Sequence, residues 1–450
     1  MPESEQKLER KLGLFPVTNI VIANIIGAGI FTTTGYLIGF LGNPMMMLIL
    51  WILGGLIALC GAIAFGELGA AFPDAGGEYV FISKLFSPML GFLSGWLSLI
   101  VGFSAPIAAS AIGFSKYFLW AFPHSQNWLF LNEILSEEAF SRMLAILIIV
   151  LFTWIHSKGL VLGARVQNIL TLLKILLVSS LIFAGFLFGE GSLDNLQVSK
   201  PFDFSFDGWK AIGLSLVFIM FAYSGWNSAT YIGSEIRSPK KLIPRSLLIS
   251  TLVVTVLYLL LNVFFIYAVP TGEMRNEPEI AGLAAGFAFG PMAEKIISLL
   301  ISFALFSSLS AFILLGPRVY YKMAQDGLFF KSLAKIHPVR KVPVNAIILQ
   351  AFIAIVLVLS GTFDQILTYM GFSLGIFPIL AVAGVFRLRK RNESVLKLPG
   401  FPFIHIIFVI TGIAMLVLTY LERPVESSVA LLTALSGIPV YYLFRRNSLQ

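Results

Sequence analysis

The chain reads as an all-α integral membrane protein of twelve transmembrane helices, with its first and sixth spans discontinuous. Three observations carry this expectation. The 450 residues are 58% hydrophobic and only 12% charged, with a mean hydropathy of +0.90, where a soluble domain carries about 25% charged residues. The apolar residues gather into runs of roughly 17–25, the length needed to cross hydrocarbon. Two of those runs are interrupted at matched positions, by Gly27-Ala28-Gly29 and by Phe221-Ala222-Tyr223-Ser224-Gly225.

A polar tail, 1–13, precedes the first apolar segment, which is far longer than the core of a signal peptide; no cleaved leader is expected. The first span is placed at 14–40. Gly27 and Gly29 each weaken a helix there by roughly 1 kcal/mol relative to alanine. Backbone groups freed in hydrocarbon must be satisfied by protein or by a polar cavity. The second span, 46–71, carries Glu67 near its cytoplasmic end, and it is expected to pair with backbone or interfacial water. The third, 88–119, is expected to kink at Pro106. The fourth and fifth, 141–158 and 160–188, are joined by the short connection ending Ser157-Lys158-Gly159. The sixth, 208–236, holds the second break. Spans at 243–269, 290–325 (kinked at Pro317), 344–360 and 363–386 follow. Two more, 401–421 and 427–444, precede a tail at 445–450. The longest of these tilt or project beyond the hydrocarbon. Trp51, Trp120, Trp128 and Trp209 fall near span ends, as an interfacial aromatic belt requires.

Basic residues set the orientation. Of 31 Lys and Arg, 23 fall in or next to alternate connections counted from the N-terminal tail and 7 in or next to the others, while Lys174 lies deep inside a span. The positive-inside rule then places both termini in the cytoplasm, in a plasma (inner) membrane. The net charge of +8 faces anionic lipid, at about 1 kcal/mol per residue, and not nucleic acid. Cys60 is the only cysteine, which excludes an intramolecular disulfide and a cysteine metal cluster. His124, His156, His337 and His405 are scattered over loops and span ends, so no metal site is expected. The stretches 120–140 and 189–207, with Glu133, Glu137, Glu138, Glu190 and Asp194, form no catalytic constellation. Deep within the spans, Glu67 and Lys174 offer too little acid–base chemistry for an intramembrane enzyme. No catalytic residue, cofactor or accessory subunit is indicated.

Five spans separate one break from the next, so a repeat of that length re-enters the membrane from the opposite side. The implied halves are 14–188 and 208–389, with the site between them near the midplane and the helices of 401–444 outside the repeat. At each break, helix termini become chemical groups: N–H groups that attract anions and carbonyls that attract cations. Around Gly27, Ala28 and Gly29, free N–H groups suit a carboxylate. Around Ile25, Phe221, Ala222 and Ser224, with Gly225 closing the second break, free carbonyls suit an ammonium. A zwitterionic α-amino acid presents both charges. One Gly-x-Gly alone is equally explained by close packing of small residues; two breaks at matched positions favour a substrate site.

At these residues a family resemblance enters. Ile25-Ile26-Gly27-Ala28-Gly29-Ile30-Phe31 resembles the first-helix motif of the amino acid–polyamine–organocation superfamily. The run from Gly66-Glu67-Leu68-Gly69 through Pro73-Asp74-Ala75-Gly76-Gly77-Glu78-Tyr79 is similar to its second-helix and loop signature. Phe221 to Asn227, followed by Glu235, Pro239 and Ile243-Pro244-Arg245, resembles the sixth-helix region of the L-type branch. The resemblance covers essentially the whole chain. It implies a LeuT-like fold, alternating access and amino-acid substrates. It also assigns roles: N–H groups of Gly27, Ala28 and Gly29 for the carboxylate, carbonyls of Ile25, Phe221, Ala222 and Ser224 for the amine, and Phe221 as a gate. Two positions depart from it. Ala28 stands where relatives often carry serine, and Ser310 where L-type relatives often show asparagine.

Counted from about residue 166, Lys174 lies eight residues in, roughly 12 Å along the helix of the fifth span. At that depth a lysine is costly and faces an interior cavity or marks an ion path; the alternative is snorkelling to the headgroups. The L-type branch is similar in carrying a lysine here, where sodium-coupled relatives hold sodium. That implies sodium-independent transport, as exchange or with a proton, and makes Lys174 a candidate carrier of that proton. Neutral amino acids are expected because neither break carries an acid. Cationic amino acids or polyamines are the alternative substrates, and a transporter-fold sensor is the alternative class.

Overall fold

The computed structural model describes residues 8–122, 136–197, 201–360 and 363–448. Lys7, His124, Trp128, Glu133 and Lys200 lie outside them. Among the described residues there is no strand, only isolated bridges at Leu12–Ile236 and Ala75–Ile232. The twelve expected segments each coincide with a helix or a broken helix. Intact or nearly intact ones run Pro44–Ala71, Glu137–Ser157, Leu160–Phe188, Pro239–Ala268, Val344–Ser360, Phe363–Lys390, Phe403–Glu422 and Pro424–Ser448. Among the described residues ten segments are long and apolar enough to cross a membrane; Val344–Ser360 is a shorter apolar helix. Their starts follow from side chains that accept otherwise orphaned N–H groups. Asn43 accepts from Met46, Ser87 from Leu90, Ser136 from Ala139 and Ser205 from Gly208. Pro44 and Pro88 add rings preset for a first turn.

The interruptions take four forms. The first span is two helices, Leu14–Ile25 and Ala28–Leu41, joined by extended backbone at Ile26 and Gly27. The sixth is an α-helix, Phe206–Ala222, followed by turns and two 3₁₀ segments, Ser228–Tyr231 and Gly233–Glu235. The third runs Pro88–Leu97, then a π-helical turn, Ser98–Phe103, then Ser104–Ala121. The expected distortion at Pro106 therefore sits just upstream, where carbonyls lose regular partners. The Ser104 hydroxyl donates to Leu99 O at 2.6 Å and Tyr320 Oη to Ser98 O at 3.3 Å. The eighth breaks at Gly316 into Pro291–Leu315 and Pro317–Gln325.

Two short helices, Glu78–Leu85 and Ile280–Phe289, had no span-length signal in the sequence. Hydrogen bonds gather the connections onto two faces. On the N-terminal face, Lys11 and Leu12 N–H groups both donate to Glu235 O at 2.9 Å, and Arg237 N–H returns to Leu12 O at 3.0 Å. On the opposite face, Asn276 N–H donates to Gly35 O at 3.0 Å. A broken helix followed by four spans thus occurs twice, starting from opposite faces, with two helices added at the end.

Three expectations are corrected here. Trp51 is buried, edge-on to Tyr258 at 5.5 Å between ring centroids and tilted against Tyr223, because it lies deep in Pro44–Ala71; Trp120 and Trp209 are half-exposed near span ends. Glu67 is held by the guanidinium of Arg389, at 2.8 and 2.6 Å, with Ser394 Oγ and Leu398 N–H as further donors. Its partner comes from more than 300 residues away, which local reading could not supply. His156 is buried, with Nε2 2.8 Å from Ser310 Oγ, so it ties the fourth span to the eighth.

Candidate substrate site

The two breaks lie against each other. A Cβ built on Gly29 would fall 2.7 Å from Ala222 Cα, and one on Gly225, where φ is +101°, 2.5 Å from Asn24 Nδ2. Glycine is required at both positions for the backbones to approach this closely. Tyr258, from the seventh span, links the breaks from behind: its hydroxyl is 2.8 Å from Ile25 O and 3.0 Å from Ala222 O.

A cavity at this junction is lined by Ile25, Gly27, Ala28, Gly29, Phe221, Ala222 and Ser224, with Asn24, Pro106, Ala109, Ser110 and Phe312 completing the wall. Gly225 lines a larger adjoining cavity that shares Asn24, Ser224 and Phe312. The helix beginning at Ala28 has no side-chain cap, so its first-turn N–H groups lack intrahelical acceptors and form the positive end of the site. The carbonyls opposite are partly engaged. Phe221 O accepts from Ser224 N–H at 2.9 Å, and Ile25 O and Ala222 O face Tyr258. Each retains a second lone pair. Asn24 Oδ1 is buried without a hydrogen-bond partner among the described residues, an acceptor left open at the junction.

Lys174 is 1% exposed and does not snorkel. Its Nζ donates to Ala23 O at 3.3 Å, to Ser308 Oγ at 2.7 Å and to Ile26 O. Ser308 Oγ in turn donates to Ile26 O at 2.8 Å. One ammonium thereby joins the end of the first half-helix to the fifth and eighth spans. Beside it, Gln167 Nε2 reaches Ser307 O at 3.0 Å and Thr171 Oγ1 at 3.1 Å. Ser310 points away from the cavity, toward His156, and Phe312 supplies the eighth span's contribution to the wall.

Sequence reading missed Asn24, Ser110, Tyr258, Ser308 and Phe312. Asn24 had a signal, as the polar residue immediately before the break. The others sit within regular helical stretches, Ser104–Ala121, Pro239–Ala268 and Pro291–Leu315, where no local feature marks the side facing a cavity.

The family model described as amino acid permease matches residues 12–443. The serine/threonine exchanger SteT of Bacillus subtilis (strain 168) is 28% identical over 453 residues, covering 99% of each chain. The human large neutral amino acids transporter small subunit 2 is 28% identical over 443 residues, covering 97% of this chain and 80% of the relative. The b(0,+)-type amino acid transporter 1 of Mus musculus is 28% identical over 442 residues, covering 97% and 88%. A broken first helix packed on a broken sixth, within a match spanning nearly every residue, settles the family: the chain belongs to the amino acid permeases.

Proposed function

We propose that the protein is a secondary transporter that carries neutral L-amino acids through the plasma membrane, independently of sodium and by exchange. The observation that carries this is the apposition of the two breaks. Uncapped N–H groups from Ala28 onward face the carbonyl end of Phe206–Ala222 across a cavity. A carboxylate held by the former and an ammonium held by Ile25, Phe221, Ala222 and Ser224 carbonyls complete the hydrogen bonding of both ends, with Phe221 as the gate. Among the described residues no ionised side chain lines the junction cavity, which supports neutral substrates. Small wall residues, Ala109 and Ser110, with Phe312 opposite, support side chains of modest size.

Lys174 occupies, as a covalent part of the protein, the place a bound cation would take between the first, fifth and eighth spans. The site therefore forms without sodium. The two halves, 14–188 and 208–389, move relative to one another in this reading, with 401–444 alongside and the N-terminal face in the cytoplasm. Uptake of labelled alanine into proteoliposomes preloaded with unlabelled amino acid tests it, with leucine, arginine and putrescine as competitors. Trans-stimulated uptake blocked by leucine is expected. Block by arginine or putrescine alone would replace the neutral reading with a cationic one, and linear, unsaturable flux would indicate a pore.

A further inference from the structure

The larger cavity extends from Asn24 and Ser224 at the breaks to the N-terminal face, where Glu78 forms part of its wall. Glu78 begins the short helix Glu78–Leu85, in the connection between the second and third spans, yet it is only 5% exposed. Asn227 Nδ2 donates to its Oε1 at 2.6 Å, and the Tyr231 hydroxyl is the second group bonded to the carboxyl. Both partners are neutral.

The charged groups on surrounding elements are engaged elsewhere. Lys84 pairs with Asp74, Lys322 with Asp326, Arg318 with Glu235 and Arg389 with Glu67. Arg387 and Arg391 donate to the carbonyls of Leu85 and Lys84, at the far end of the short helix. Tyr79 donates to Asp326. No cation among the described residues is paired with Glu78. A buried carboxylate without a counter-charge is costly, and such a group holds its proton instead. Burial raises the Glu78 pKa from 4.5 to about 7, against the opposing effect of the bonds from Asn227 and Tyr231.

The setting is a closed contact. Gly76 and Gly77, both at positive φ, lead the chain onto the stretch that follows the second break. Gly76 N–H donates to Tyr231 O at 3.1 Å and Ala75 N–H to Ser234 Oγ at 2.8 Å. Admitting water to the cavity from this face requires these two segments to part.

We propose that Glu78 is a proton-binding latch for the N-terminal face, protonated while its contact with Asn227 and Tyr231 is closed and ionised once that face opens. The proposal rests on the alternating-access reading, which supplies the opening. On opening, the carboxyl O–H bond breaks and its proton passes to water entering the cavity; closing reverses the step and no other bond changes. The sign follows from linkage. Below 4.5 both forms hold the proton and the balance does not depend on pH. Between 4.5 and about 7 opening releases one proton, so the open fraction rises with pH; above about 7 it levels off. Over the whole window the open-to-closed ratio gains about 300-fold. Acid on that face holds it shut.

Infrared difference spectroscopy of the full chain in proteoliposomes, between acid and alkaline buffer, reads the proton directly. A protonated-carboxyl band titrating near 7 and absent in Glu78→Gln is expected, together with counterflow that varies with pH in the wild type and is flat in Glu78→Gln. An unchanged band, or an unchanged pH profile of counterflow, in Glu78→Gln overturns the proposal. Where Glu78→Gln does not fold, Asn227→Ala removes a donor to the ionised form and is expected to move the midpoint upward; an unmoved midpoint overturns it equally. A wild-type band that titrates without any counterflow supports the proton site while contradicting the transport reading, so the two fail separately.

Discussion

Gly29 and Tyr258 are the residues through which the two breaks hold one another. Gly29→Ala forces a methyl against Ala222 backbone at 2.7 Å, and overpacking of this kind destabilises by about 1–3 kcal/mol. Thermal unfolding in detergent is expected to show that loss together with weaker stabilisation by added amino acid. Gly13→Ala, with nothing within 4 Å of the new carbon, is expected to change neither beyond about 0.5 kcal/mol. Tyr258→Phe leaves Ile25 O and Ala222 O without their shared donor. It is expected to lower stability by about 1–3 kcal/mol, with a greater loss in uptake than in expression. The two glycine breaks were legible because glycine weakens a helix wherever it stands. Tyr258 was not, since a tyrosine in an apolar run is marked as a site residue only by what it touches.

At the level of elements, length and hydropathy placed all twelve segments, and serine, asparagine and proline at their starts explain why the boundaries fall where they do. What could not be read were contacts between distant connections. Glu235 stood in the sequence as a motif acid near a span end. In the folded chain Arg318 Nε and Nη2 hold its carboxylate at 3.0 and 2.9 Å, with both side chains buried. That pair fastens the 3₁₀ stretch after the second break to the helix Pro317–Gln325, while Lys11 and Leu12 fasten the N-terminal segment to Glu235 O. Glu235→Gln and Arg318→Met each leave one buried partner uncompensated and are expected to cost about 3–5 kcal/mol. The double variant, which leaves no charge unpaired, is expected to regain a substantial part of that loss. Additive losses in thermal unfolding would mean the two residues act independently. The π-helical turn Ser98–Phe103 is a further element no periodicity revealed; it places Ser98, Gly102 and Phe103 on the wall of the larger cavity.

For the whole molecule, the fold is a set of apolar helices arranged so that two interrupted ones meet in the interior and a lysine stands beside them. Lys174 was legible as costly and therefore purposeful, because it stands far from both ends of its apolar span. Its partners, Ala23 O, Ile26 O and Ser308 Oγ, required the fold. The central claim is that this fixed ammonium does the structural work of a bound cation, so that amino-acid transport proceeds without sodium. Counterflow of labelled amino acid in proteoliposomes, with sodium replaced throughout by choline, tests it most directly. Equal rates in the two media, with counterflow reduced at least tenfold in Lys174→Ala, about 1.4 kcal/mol or more, are the result this account requires. Counterflow that depends on sodium in the wild type, or that survives unchanged in Lys174→Ala, would contradict it.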